Sequence, residues 1–268
     1  MAQYRTITSF LNYTPSATSE DTNFLASNLE LYGHPFRPWK ALVATGIVDV
    51  TLDFGVGNTL SALAADPGLF LYPLNVSSIR IQGNDSLSWG SPPWDQAVTV
   101  NKARWTSGPD LGRYQGFWRL ADLDPTAFAY RYLNIRIPSQ TPVDGLPYRI
   151  GVAVVGHAPE LVTNPRFSIG RAMDDPALRV EFLDGGREIL EMGERALELR
   201  LPRVLASDAA LNDQLDLDAL GISQPFVIWD GALGGSQDAW LVRRADRASY
   251  EQGYTTFHEG ELALREVT

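Results

Sequence analysis

The chain has 268 residues, 44% of them hydrophobic and 20% charged, with a formal net charge of −10. This balance excludes a disordered or fibrous chain, and the acidic excess excludes a nucleic-acid binder that works by counterion release. With no cysteine there is no disulfide framework, thiolate metal site or thiol nucleophile, and His34, His157 and His258 share no ligand spacing.

In chain order, the opening residues Met1-Ala-Gln-Tyr-Arg-Thr lack a basic and then apolar leader, so the expectation is a chain made without Sec-type export. No apolar run approaches the roughly 20 residues of a membrane helix. Val48-Asp-Val-Thr-Leu-Asp-Phe54 alternates apolar and polar residues, the period of a half-buried strand, and Gly55 ends it. Ile79-Arg-Ile-Gln alternates again and stops at the turn signal Gly83-Asn-Asp. Tyr130-Arg-Tyr-Leu-Asn-Ile-Arg-Ile137 reads as a strand with Arg131 and Arg136 on its polar side, closed by Pro138. Tyr148-Arg-Ile-Gly-Val-Ala-Val-Val155 is more continuously apolar, as in a strand buried on both faces. Between these runs lie Pro- and Gly-rich stretches, and no helical period persists.

Gly156-His-Ala-Pro-Glu and Thr163-Asn-Pro read as a linker, after which acidic residues thicken. Residues 1–165 carry 11 basic and 13 acidic side chains, and residues 166–268 carry 11 and 19. Further strands are read at Arg179–Leu183, Ala196–Leu201, Phe226–Trp229, Ala239–Arg243 and Glu261–Val267. One helix is expected from Ser207, a capping hydroxyl, with Leu211 and Leu215 on its buried face and Gly221 as its stop. The expected fold is all-β: a sandwich over residues 1–160, followed over 165–268 by a smaller β-barrel or sandwich with one α-helix.

Trp89, Trp94, Trp105 and Trp118 fall in one loop-rich region. An indole face stacks on a sugar ring, and a carboxylate beside it bonds hydroxyls, a form that Trp94-Asp95 has. The alternative is that these tryptophans are core anchors. Trp89, Trp94, Asp95 and Trp105 are therefore candidate glycan contacts, with no metal site and no cofactor expected. Signals for catalysis are weak. Gly83-Asn-Asp-Ser-Leu87 departs from the serine motif of the GDSL hydrolases because Asn84 intervenes, and no Gly-x-Ser-x-Gly elbow occurs. Gly55-Val-Gly57-Asn lacks the third glycine of a dinucleotide fingerprint and reads as a turn. The carboxylate pairs Asp174-Asp175 and Asp122-x-Asp124 could serve glycoside hydrolysis, but both sit in Pro-containing segments where solvated acids are the norm. No enzyme is expected.

The order of the first-domain segments resembles the discoidin, or galactose-binding-like, family. Trp39 is followed by Asp49–Gly55, Ser78–Trp89, Tyr130–Ile137 and Tyr148–Gly156, which stand where that family has its early tryptophan and four recurrent strand motifs. The resemblance implies a jelly-roll sandwich. A second resemblance lies in Asn23-Phe-Leu-Ala-Ser-Asn-Leu and Gly33-His-Pro-Phe-Arg-Pro-Trp39, which look like discoidin-type proteins in the tail modules of long-tailed bacteriophages. Those proteins often continue with strands and one helix, as Leu199–Ala219, Gln224–Asp230 and Leu264–Val267 do here. This implies a structural virion protein of the tail tip or baseplate, akin to a distal tail protein, made in the host cytoplasm. Its implied partners are the tail tube, hub and fibres, further copies in a trimeric or hexameric ring, and host surface polysaccharide. Nucleic acid and membrane insertion are not implied. A free carbohydrate-binding adhesion module is the alternative.

Overall fold

Period-two alternation becomes strand wherever the sequence displays it. In a computed structural model, residues 4–30, 32, 37–102, 114–160, 170–174, 178–181, 187–190, 194–205, 224–230, 239–244, 249–254 and 257–267 are described. The strands of the first 160 residues are β1 (Tyr4–Ile7), β2 (Thr14–Ala17), β3 (Trp39–Lys40), β4 (Val48–Asp53), β5 (Pro67–Leu74), β6 (Ser78–Asn84), β7 (Trp94–Thr99), β8 (Asn101–Lys102), β9 (Tyr114–Arg119), β10 (Tyr132–Ile137) and β11 (Arg149–His157). Then come β12 (Gly170–Asp174), β13 (Leu178–Glu181), β14 (Arg187–Leu190), β15 (Glu194–Leu205), β16 (Phe226–Asp230), β17 (Ala239–Arg244), β18 (Ser249–Tyr254) and β19 (Phe257–Glu266). The α-helices among the described residues are single turns, α1 (Leu60–Leu63) and α2 (Leu120–Leu123). The fold is all-β. The expected helix from Ser207 to Gly221 lies outside the described residues.

The chain divides into two units. Unit 1 comprises Met1–Arg104, Pro109–Glu160 and Phe226–Leu241; unit 2 comprises Trp105–Gly108, Leu161–Pro225 and Val242–Thr268. Unit 1 contains two five-stranded sheets, ordered β2-β4-β10-β6-β7 and β3-β11-β5-β9-β8. Their inner faces share one core. Val50 and Leu52 of β4, Ile79 and Ile81 of β6 and Leu133 and Ile135 of β10 meet Leu69 and Leu71 of β5 and Ala153 and Val155 of β11.

The alternate residues of the second sheet are also buried. Phe70 and Tyr72 of β5, Phe117 of β9 and Val152 and Val154 of β11 are each at most 3% exposed, although they point away from the shared core. A third layer covers them. β1 pairs antiparallel with β16, from Tyr4 opposite Asp230 to Ile7 opposite Val227, and β16 neighbours β17. The Phe117 ring stacks on Trp229 at 5.2 Å between centroids, and Gln115 Nε2 donates to the Ala239 carbonyl at 2.6 Å. Residues 226–241 thus differ from the expected division, which placed them with the C-terminal domain. They bury Phe226, Val227, Ile228 and Leu241, a hydrophobic gain that keeps them in unit 1.

The start of the expected linker is likewise structural. Gly156 belongs to β11, where a Cβ would lie 2.3 Å from the Ser9 carbonyl oxygen, so only glycine lets the two backbones approach. Arg5, 7% exposed, donates to Asp66 at 2.9 Å, to Glu160 at 3.2 Å and to the Ala158 carbonyl at 2.9 Å. These bonds tie residues 158–160 back to β1.

In unit 2, β15 pairs with β12 on one side and β19 on the other, and β19 also pairs with β18 and with Val242–Arg244 of β17. β13 and β14 form a separate antiparallel ladder from Leu178 opposite Leu190 to Glu181 opposite Arg187.

Candidate functional site

The outer face of the sheet β2-β4-β10-β6-β7 carries the polar residues of the same alternation that builds the core. Strand register arranges them in rows. Thr51, Asn134, Gln82 and Asp95 lie across β4, β10, β6 and β7; in the next row Asp49, Arg136, Arg80 and Ala97 do the same.

The centre of this face is a closed hydrogen-bond network. Asn134, 0% exposed, donates through Nδ2 to Asp49 Oδ1 at 2.8 Å and to Gln82 Oε1 at 3.0 Å. Its Oδ1 accepts from Thr51 Oγ1 at 3.1 Å. Arg136 grips both Asp49 oxygens, Nε to Oδ1 at 2.8 Å and Nη2 to Oδ2 at 3.0 Å, and its Nη1 donates to the Trp89 carbonyl at 2.9 Å. The bond to Asp49 pushes the Arg136 guanidinium further above its ordinary value. Each buried polar group is thus satisfied by a neighbour, which is what lets such a layer survive burial.

Towards the β7 edge the network opens. Arg80 Nε donates to Asp95 Oδ1 at 2.9 Å and Nη2 lies 2.8 Å from Oδ2, a two-point pair that raises the arginine above its ordinary value. The Arg80 side chain is 42% exposed and that of Asp95 24%. At the end of the sheet, Arg131 holds Asp53 through bonds of 2.7 and 2.6 Å, which keep the Asp53 carboxyl below the usual carboxylate range.

The four glycan candidates separate on this framework. Asp95 is on the outer face, and Trp89 is half-buried, its backbone carbonyl accepting from Arg136. Trp94 is a correction: it is 2% exposed, packs edge-on to Phe128 at 5.0 Å and belongs to the core, so its indole offers no platform. The reason is the strand itself, because neighbours in a strand point to opposite faces and Trp94-Asp95 cannot present both side chains to one ligand. Trp105 lies outside the described residues. Trp118 is also in the core. Arg131 precedes β10, which begins at Tyr132, yet its guanidinium holds Asp53, which alternates with Thr51 and Asp49 along β4, so it reaches the same polar side as Arg136.

Sequence reading overlooked Arg80, Gln82, Asp49 and Asn134 as a group. Their polar positions in the alternating runs were visible, but their convergence needs the register. The weak catalytic signals gain nothing. Asp122 is bound to Arg119, Asp124 Oδ1 accepts from the Thr126 amide, and Asp85 Oδ1 accepts from the Arg131 amide. Asp175 lies outside the described residues. Gly55 and Gly57, with φ of 93° and 81°, form the turn expected of them. No cluster of three metal-ligating side chains occurs among the described residues.

No family model matches the chain, and no curated protein matches it. Among solved structures, a chain from reduced XRCC1 bound to the DNA polymerase β catalytic domain aligns at TM-score 0.42 and 12% identity, over 56% of this chain and 100% of that one. Chitosan-binding module 1 from a Paenibacillus sp. IK-5 chitosanase/glucanase aligns at TM-score 0.35 and 20% identity, over 54% and 95%. A point mutant of that module aligns at TM-score 0.36 and 18% identity, over 57% and 98%. Likenesses at this level carry no functional inference.

Proposed function

We propose that the chain is a non-catalytic structural protein of a long-tailed phage, a tail-tip or baseplate component akin to a distal tail protein. It assembles as a trimeric or hexameric ring and presents unit 1 outward, to fibres or to host surface polysaccharide. The observation that carries this reading is the strand pattern of unit 2. The β13–β14 ladder pairs with no third strand among the described residues, and β12 and β18 each pair on one side only among them. A two-stranded ribbon is marginal alone in water, and strand edges are templates for pairing with another chain. A closed ring would give every such edge a partner.

Light scattering on a sizing column, at two concentrations of the full chain, tests this. A discrete trimer or hexamer supports the ring, and electron microscopy would then display it. A monomer at both concentrations removes self-assembly from the proposal. It would favour the second reading, a free carbohydrate-binding module, which draws its support from the outer polar face of unit 1.

A further inference from the structure

We infer that the free edge of β7 is a docking strand for a second copy of this chain, which adds its own β7 antiparallel across a two-fold axis at Ala97. This surface belongs to unit 1 and is independent of the ring, whose strand edges belong to unit 2.

The two five-stranded sheets of unit 1 end in β2, β7, β3 and β8, and three of these edges are blunted. β2 carries Pro15, and β3 and β8 are two residues long. Proline, short length and unmatched charge are what stop an edge from recruiting another chain. β7 lacks them. Its six residues, Trp94–Thr99, pair with β6 without a bulge, from Ser78 opposite Thr99 to Gly83 opposite Trp94. Among the described residues no strand pairs with its other side. It holds neither proline nor lysine, and its one charge, Asp95, is matched by Arg80.

The order of side chains makes this edge self-complementary. Directly opposed residues in a sheet share a face. With the axis at Ala97, that exposed alanine meets its own copy, and Asp95 stands opposite the exposed Thr99 of the other chain, whose hydroxyl can donate to the carboxylate. Other axes fit worse. One at Asp95 would oppose two carboxylates, and one at Gln96 would oppose two side chains that each already donate to Asp124. Arg80 and its copy would lie three strand spacings apart, about 14 Å, beyond the Debye length of about 8 Å. Residues 1–165, with 11 basic and 13 acidic side chains, are close to neutral, so two copies of this part meet without the repulsion that the whole chain's net charge of −10 suggests.

Because the chain has no cysteine, a single introduced thiol reports alone. Opposed Cα atoms in an antiparallel pair lie about 4.5–5.5 Å apart, a separation that a disulfide spans. The full chain carrying Ala97→Cys, oxidised with diamide, should therefore give a covalent pair on a non-reducing gel. Leu87→Cys, at an exposed loop position, measures random collision and should give far less. Ala97→Glu is the second variant: it sets two carboxylates face to face on the axis while its own side chain stays on the exposed side of the sheet. In light scattering on a concentrated sample it should halve the mass, from dimer to monomer or, where rings form, from paired rings to single ones. Failure of the ring reading would leave that halving intact. Cross-linking of Ala97→Cys no greater than that of Leu87→Cys would overturn the docking strand and leave the ring standing. A mass that Ala97→Glu does not change would do the same, and would assign the edge to a strand of another protein. Stronger cross-linking in Asp95→Cys than in Ala97→Cys would overturn the axis.

Discussion

Removing the Asp49 carboxylate gives the strongest test of the polar layer. In Asp49→Ala three bonds disappear, two from Arg136 and one from the fully buried Asn134. The Arg136 side chain is 21% exposed, so water reaches it only in part once its partner is gone. Breaking a fully buried ion pair costs about 3–5 kcal/mol, and partial exposure discounts that to roughly 2–3 kcal/mol here. The unmet Asn134 amide proton adds about 1 kcal/mol. Asp49→Ala should therefore destabilise unit 1 by about 3 kcal/mol. The double variant with Arg136→Met should recover about half of that, since the uncompensated cation is then absent. Urea unfolding followed by tryptophan fluorescence suits the measurement. Six of the seven tryptophans, Trp39, Trp89, Trp94, Trp118, Trp229 and Trp240, belong to unit 1 and Trp105 to unit 2, so the signal reports chiefly on unit 1, and Trp105→Phe as the background confines it to that unit. A loss below about 0.5 kcal/mol, or strict additivity of the two substitutions, would refute the view that the layer is a mutually dependent network.

Two further outcomes are expected. Asp53→Asn removes a carboxylate whose folded-state pKa lies below its unfolded value, chiefly through its bonds to Arg131. Its stabilisation is complete above the unfolded pKa of about 4 and is lost as pH falls towards the folded value. Urea midpoints of wild type and Asp53→Asn should therefore differ by a constant amount above about pH 5 and converge in acid; a gap that widens in acid would contradict the pairing. A chain ended after Glu160 lacks β16 and β17, and with them the Trp229 ring stacked on Phe117 and the Ala239 carbonyl bonded by Gln115. At about 2 kcal/mol for each large side chain left exposed, it should bind a hydrophobic dye or aggregate. A monomeric, dye-silent fragment would show that the third layer is dispensable.

The sequence alone determined the class of fold and the two kinds of surface on each strand. Val48–Phe54 and Ile79–Gln82 carry their inner and outer residues in plain alternation, because a strand's side-chain period of two is a local property of the backbone. The continuous apolar run at Tyr148–Val155 already required cover on both faces. Tertiary structure alone decided what supplied that cover. β1 and β16 lie over 200 residues apart, and nothing local to Phe226–Trp229 says that its partner is the chain's first strand. The same holds for the polar layer. Asp49, Arg80, Asp95, Asn134 and Arg136 are each an ordinary outward position on its own strand, and only the register across four strands sets them within bonding distance. Parity along a strand is written in neighbouring residues. The partner across the sheet is chosen by the whole core and leaves no mark in any one segment.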